Sequence, residues 1–227
     1  MSTLAFSVVG ARPEPYAAAP ALTLELHVAE SSGVRVDAIA LRAQVSIEPQ
    51  RRRYAHGEAE KLSDLFGPQQ RFGDTLRTML WANLATTVLG FSGATHADLT
   101  LPCSYDFEVA AYKYLAALED GEIPLVAFFS GTVFVHGEHG VTGELVPWTC
   151  EARYRLPVAV YRQTMEAHFP NSAWIRVHRD TFDALDRARR SAGHPTWDRT
   201  LLALLAGDVG LNGVAANGAG TGGVRKP

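Results

Sequence analysis

The stretch Leu101–Val135, LPCSYDFEVAAYKYLAALEDGEIPLVAFFSGTVFV, constrains the fold more than any other part of the chain. Phe107, Ala111, Tyr114, Leu115 and Leu118 recur at helical spacing, and the Ala-rich interior favours helix. The spacing predicts a helix from Asp106 to Glu119, closed by Glu119-Asp120-Gly121. Pro124–Val135 is continuously apolar, β-branched and aromatic, the pattern of a central strand. The segment holds no nucleophile paired with a base and no phosphate cradle. Ser130-Gly131-Thr132 lacks the glycine two residues before the serine that a nucleophile elbow requires. The stretch builds a core.

The flanking sequence is mostly β. Leu4, Phe6 and Val8 alternate, and no Lys or Arg precedes them, so they read as a strand rather than a leader. Three prolines follow, Pro13, Pro15 and Pro20, and predict an extended linker. Leu22, Leu24, Leu26 and Val28 alternate with polar residues. Ser31-Ser32-Gly33 turns the chain, and Val34–Ile47 alternates again, which predicts an opening hairpin. The phase slips at Asp37-Ala38, the mark of a bulge or break. Leu62, Leu65 and Phe66 share a helix face stopped by Gly67-Pro68. Thr75–Leu89 is β-permissive, Ala97–Cys103 is a strand, and His136–Gly143 is a hairpin loop returning through Glu144–Arg155. Pro157 opens a helix, and Trp174–Val177 is a short strand. Asp180 and Thr196 stand where they would cap two final helices. The fold expected is α+β: an antiparallel β-sandwich with an inserted helix and C-terminal helices, one domain over residues 1–206. Residues 207–227 carry seven glycines and read as a disordered tail.

Charge narrows the function. A net charge of −3 with a pI near 6.2 is unsuited to nucleic acid, which demands a basic face. No apolar run reaches the ~20 residues of a membrane helix. Two cysteines, Cys103 and Cys150, are too few for a disulfide scaffold and suit buried thiols of a cytoplasmic protein. His136-Gly137-Glu138-His139 resembles a metal site in its donors, although a Gly-flanked turn gives ligands little support. Cys103, Cys150, His136 and His139 therefore form the candidate set for nickel, iron or zinc. Arg51-Arg52-Arg53-Tyr54 is the one basic cluster and the candidate partner surface, because Arg forks match carboxylates. The acids Asp106, Glu108, Glu119, Asp120 and Glu122 sit at caps and turns, where acids belong anyway. No catalytic residue and no cofactor is assigned.

Longer motifs carry a resemblance. IEPQRRRY, LFG before Gly-Asp-Thr-Leu-Arg, LPCSYDFEVAAYKYLAALEDGEIPL with FSGTVF, VPW, RYRLPVAVYR, HFPNSAWIRV and PTWD occur in order between Leu4 and Ala206. Together they resemble one uncharacterised actinobacterial family, known only as a domain of unknown function. The resemblance implies a gene neighbourhood of uptake [NiFe]-hydrogenases. It thereby implies a non-enzymatic accessory, assembly or anchoring protein whose partners are hydrogenase subunits. It supplies no catalytic residues. In shape, the opening strands and DGEIPLVAFFSGTVF are similar to the immunoglobulin-like sandwich of water-stress (LEA-type) domains. The alternative is a metal-handling maturation factor or thiol/metal-dependent enzyme using the Cys/His set.

Overall fold

The computed structural model describes residues 3–103, 109–137, 140–172 and 177–207. Its contacts group the chain into two compact units, Met1–Ser172 and Ala173–Pro227, a division the reading of residues 1–206 as one domain did not draw. The first unit holds strands β1 (Leu4–Pro13), β2 (Ala21–Glu30), β3 (Val36–Ile47), β4 (Met79–Phe91) and β5 (Ala94–Pro102). Further strands are β6 (Glu122–Gly137), β7 (Gly140–Leu145) and β8 (Glu151–Pro157). Helices α1 (His56–Phe66), α2 (Phe72–Thr75), α3 (Val109–Ala117) and α4 (Val158–His168) complete it. The expected helix start at Asp106 and most of the Trp174–Val177 strand lie outside the described residues, as does the tail beyond Gly207.

Every strand pairing among the described residues is antiparallel. One sheet runs β1-β2-β5, the other β4-β3-β6, with β7 on the second half of β6 and β8 on the first. Strict alternation supplies the core. Leu22, Leu24, Leu26, Val28, Leu99 and Leu101 point in from the small sheet. Ile39, Leu41, Val45, Ile47, Ile123, Phe129 and Val133 point in from the large one. Phe6 stacks on Phe129 with ring centres 4.5 Å apart, joining the layers. Trp81 is fully buried, donates Nε1–H to the Pro102 carbonyl at 3.2 Å, and meets Tyr161 of α4 edge-on.

Two expectations change. β2 and β3 do not form a hairpin: β2 pairs with β1 and β5, and β3 pairs with β4 and β6, so the chain crosses between sheets. The Glu30 carboxylate makes that crossing. It accepts from the backbone N–H groups of Ser32 (2.9 Å), Gly33 (2.9 Å) and Val34 (3.1 Å), from the Ser32 hydroxyl, and from Thr3 N–H (3.0 Å). These donors hold its pKa down at about 2, the Ser32 hydroxyl most of all. The second change is at the prolines: β1 continues through Arg12 to Pro13 on the sheet edge, where a missing N–H costs no ladder bond. The slip read at Asp37 is real, a register shift between Val36 and Ala38 against β6.

Gly131 lies where β6 changes neighbours from β8 to β7. Its φ of +137° is a region L side chains rarely adopt, and a Cβ there would collide with the Ala40 carbonyl oxygen. This backbone requirement, not a nucleophile, explains Ser130-Gly131-Thr132.

The second unit contains α5 (Arg179–Ser191) and α6 (Trp197–Leu205). Phe182 packs on Trp197 at 5.4 Å, and the Arg189 guanidinium lies 4.9 Å over the Trp197 ring. Thr196 caps α6 by accepting from Arg199 N–H at 3.3 Å. Asp180 does not cap α5. It stands in the first turn, behind His178, where its charge meets the helix dipole.

Candidate functional site

The Arg51-Arg52-Arg53-Tyr54 run is divided by the fold. The Arg52 side chain is 9% exposed and pairs with Glu58, itself 3% exposed. It also donates to the carbonyls of Glu122 (2.8 Å) and Asp120 (2.6 Å), tying the chain after β3 to the α3–β6 turn. Glu58 completes the clasp by accepting from Ala55 N–H (3.0 Å) and Glu119 N–H (2.8 Å). Tyr54 donates to the Pro49 carbonyl at 2.6 Å and lies 3.1 Å from the Tyr114 hydroxyl. Burial, then Tyr114, pushes the Tyr54 pKa upward. Arg52 and Tyr54 are thus structural. Arg53 is exposed and forms no ion pair with a described residue.

Arg51 belongs elsewhere. It pairs with Glu48 at 3.1 Å, and Glu48 in turn lies 3.6 Å from Arg153, which pairs with Glu151. This ladder runs along the outward side of the large sheet.

The Cys/His set does not assemble. Cys103 follows β5 at the Ala21 end of β2, with its N–H on the Pro20 carbonyl. The Cys150 thiol faces the Leu4 carbonyl, and Leu4 pairs with Glu30 at the opposite end of β2. A rise of ~3.3 Å per residue puts those ends ~30 Å apart, so one metal or disulfide cannot span them. Burial lifts the Cys103 pKa to about 12 and raises that of Cys150, which keeps both as neutral thiols. His136 lies 3.4 Å from Asp37 on the exposed end of β6, and His139 lies outside the described residues. Among the described residues no three His, Cys, Asp or Glu side chains converge on a metal position.

The distinctive surface is the outward face of the large sheet. Register aligns four rows across it: Leu89–Ala38–Phe134–Gly143, Thr87–Ala40–Thr132–Leu145, Ala85–Arg42–Ser130 and Asn83–Gln44–Phe128. Leu89 and Leu145 are 78% and 81% exposed, and Phe128 and Phe134 are also open to solvent. Beside Phe128, in the last two rows, lies a trough of about 580 Å³ lined by Arg42, Gln44, Asn83, Ala85, Phe128 and Ser130. Outward positions of an antiparallel sandwich are normally polar. Here Arg42 is the one charge in four rows, and it bonds to no described residue. The Arg51–Glu48–Arg153–Glu151 ladder borders the patch beside Phe128, because Glu151 pairs with Phe128 across β8 and β6. Sequence reading missed this face. Its signal, small and apolar residues at the outward positions of β3, β4 and β6, emerges only when three distant strands are laid in register.

The architecture of the first unit is an antiparallel β-sandwich of a three-stranded and a five-stranded sheet with helices α1 to α4. Over residues 1–210 the chain belongs to the Family of unknown function (DUF6084). No curated protein matches it in sequence. Among solved structures it is similar to the CARDB domain of a Pyrococcus furiosus protein in complex with di-metal ions, at 13% identity. That match covers 69% of this chain and 87% of that one, with a TM-score of 0.26. The putative ApaA protein of Bordetella pertussis is similar at 12% identity over 68% and 93% of the two chains, TM-score 0.27. A β-glucosidase from Kluyveromyces marxianus matches at 6% identity over 68% of this chain and 15% of the enzyme, TM-score 0.27. Likenesses this distant carry no argument about activity. No described helix is long and apolar enough to cross a membrane.

Proposed function

We propose that the protein is a non-enzymatic, cytoplasmic accessory protein that binds a protein partner through the outward face of its large sheet. The carrying observation is that face: exposed Phe128, Phe134, Leu145 and Leu89 about a floor of Ala, Ser and Thr that also holds Arg42, Gln44 and Asn83. A contiguous apolar patch with a polar rim marks an interaction surface. The lone Arg42 argues for a different protein rather than a second copy. A two-fold axis through the middle of the patch would bring two Arg42 guanidinia together in an apolar interface, an unfavourable burial of like charge. The matching partner offers an apolar surface with one carboxylate opposite Arg42. The actinobacterial [NiFe]-hydrogenase context implied by the sequence motifs makes a hydrogenase subunit or its assembly intermediate the first partner to test.

The experiment is affinity purification of the tagged full-length protein from its native host, repeated with Phe134→Asp and Leu145→Asp. Hydrogenase components recovered with the wild type and lost with both variants, at unchanged Tm, support the reading. Equal recovery by wild type and variants rejects the face. Recovery of no hydrogenase component rejects the partner.

A further inference from the structure

The other sheet carries a different arrangement, outside both the proposed partner face and the Cys/His set. On its outward side His27 of β2 and His96 of β5 are directly opposite in the antiparallel register. Their ring centres are 5.1 Å apart and the rings are tilted 60°, not stacked. His96 is exposed and His27 partly so. Neither ring is hydrogen-bonded to a described residue, so the imidazole nitrogens are available to a ligand.

The spacing has a chemical meaning. With metal–nitrogen bonds of ~2.0–2.1 Å and an imidazole ring radius of ~1.1 Å, two rings at a tetrahedral angle place their centres ~5.2 Å apart. The observed separation matches. Directly opposed strand positions fix both Cβ atoms on a rigid sheet. The neighbouring carboxylates are already committed. Arg12 bonds Asp98 at 2.7 Å and pairs with Glu25 at 3.3 Å. Glu25 also leans over Gly10, where a Cβ would come within 2.5 Å of Oε2.

We propose that His27 and His96 form a two-imidazole site for one divalent transition ion of the zinc–nickel–copper class, with water in the remaining positions. Imidazole nitrogen suits these ions, whereas calcium and magnesium require oxygen ligands. The arrangement leaves at least two coordination positions open to solvent or to a donor from another molecule.

The test is calorimetric titration of the metal-free full-length protein with ZnCl₂, for wild type, His27→Ala, His96→Ala and His136→Ala. The expected result is one ion per chain and a loss of at least ~10-fold in affinity in each of the first two variants. His136→Ala retains wild-type affinity. Histidine ring NMR signals that shift with zinc in the wild type, and are missing from the His27 and His96 variants, identify the ligands directly. The surface positions of both residues should keep the variants folded, which circular dichroism checks. Wild type that binds no zinc, or His27→Ala and His96→Ala with undiminished affinity, overturns the proposal.

Discussion

The two outward faces of this sandwich share a backbone geometry and differ in chemistry. On the small sheet Arg12 ties Glu14, Glu25 and Asp98 together, with His27, His96, Thr23 and Thr100 alongside. On the large sheet four rows of residues contain a single charge, Arg42. Inward positions of both sheets answer to the same demand, close packing of one core, and so look alike. Outward positions face no such demand. Their composition reports what they meet, which on the reading proposed above is water and ions on one side and an apolar partner on the other.

The comparison holds only while both sheets keep their places, and the largest effects come from the charged joints that hold them. Arg52→Ala removes the partner of Glu58 and leaves a buried carboxylate with two backbone donors and no cation. A loss on the order of 3–5 kcal/mol is expected in denaturant unfolding. Arg53→Ala, changed in the same run, leaves the midpoint within about 0.5 kcal/mol of wild type. Equal effects from the two would make the clasp a surface pair. Because Arg52→Ala destabilises the whole sandwich, it also calibrates the face variants: a partner lost at unchanged stability is lost through contact, not through unfolding.

Glu30 is the second joint, at the crossing from the small sheet to the large one. Its folded pKa is about 2 against an ordinary 4.5. A carboxylate depressed in the folded state contributes stability that is fully present above pH 4.5 and lost as pH falls toward 2. Wild type should therefore lose stability across that window. Glu30→Gln, which cannot ionise, should start less stable at neutral pH and show a flatter acid limb. Parallel acid limbs in the two proteins would mean that another group sets the response. If the joint fails before the sheets do, the acid-treated variant loses the Ser32–Val34 amide protection first in hydrogen exchange.

Local periodicity made much of this fold legible. β2 and β3 alternate cleanly, the slip at Asp37 is a true bulge, and the Thr196 cap and the Gly67 stop stand where their chemistry places them. Each of these depends on residues within a few positions of one another. What failed depends on pairing across distance. The alternation of β2 and β3 suits a hairpin as well as a crossover, and Glu30 decides between them through donors that include Thr3. Arg52 reads as a surface cation until the carbonyls of Asp120 and Glu122 arrive beside it. Both outward faces were invisible for the same reason. Ala38, Ala40, Ser130 and Thr132 are unremarkable in line, and His27 meets His96 only through the β2–β5 register.

The smallest expected effect sharpens the contrast between the faces most directly. Arg12 makes three ion pairs, yet its side chain is 44% exposed and its partners are 31–57% exposed. Pairs in that setting contribute little, so Arg12→Ala should cost no more than about 1 kcal/mol. Its effect on ligands should be larger than its effect on stability. With the guanidinium gone, Asp98 and Glu25 are released as oxygen donors on the same face. Zinc affinity should rise in Arg12→Ala, while partner recovery through the large sheet stays at the wild-type level. A fall in zinc affinity would mean that Arg12 orders the histidines rather than competing for their surroundings. A fall in partner recovery would mean that the two faces are not independent, and the division of labour between them would have to be redrawn.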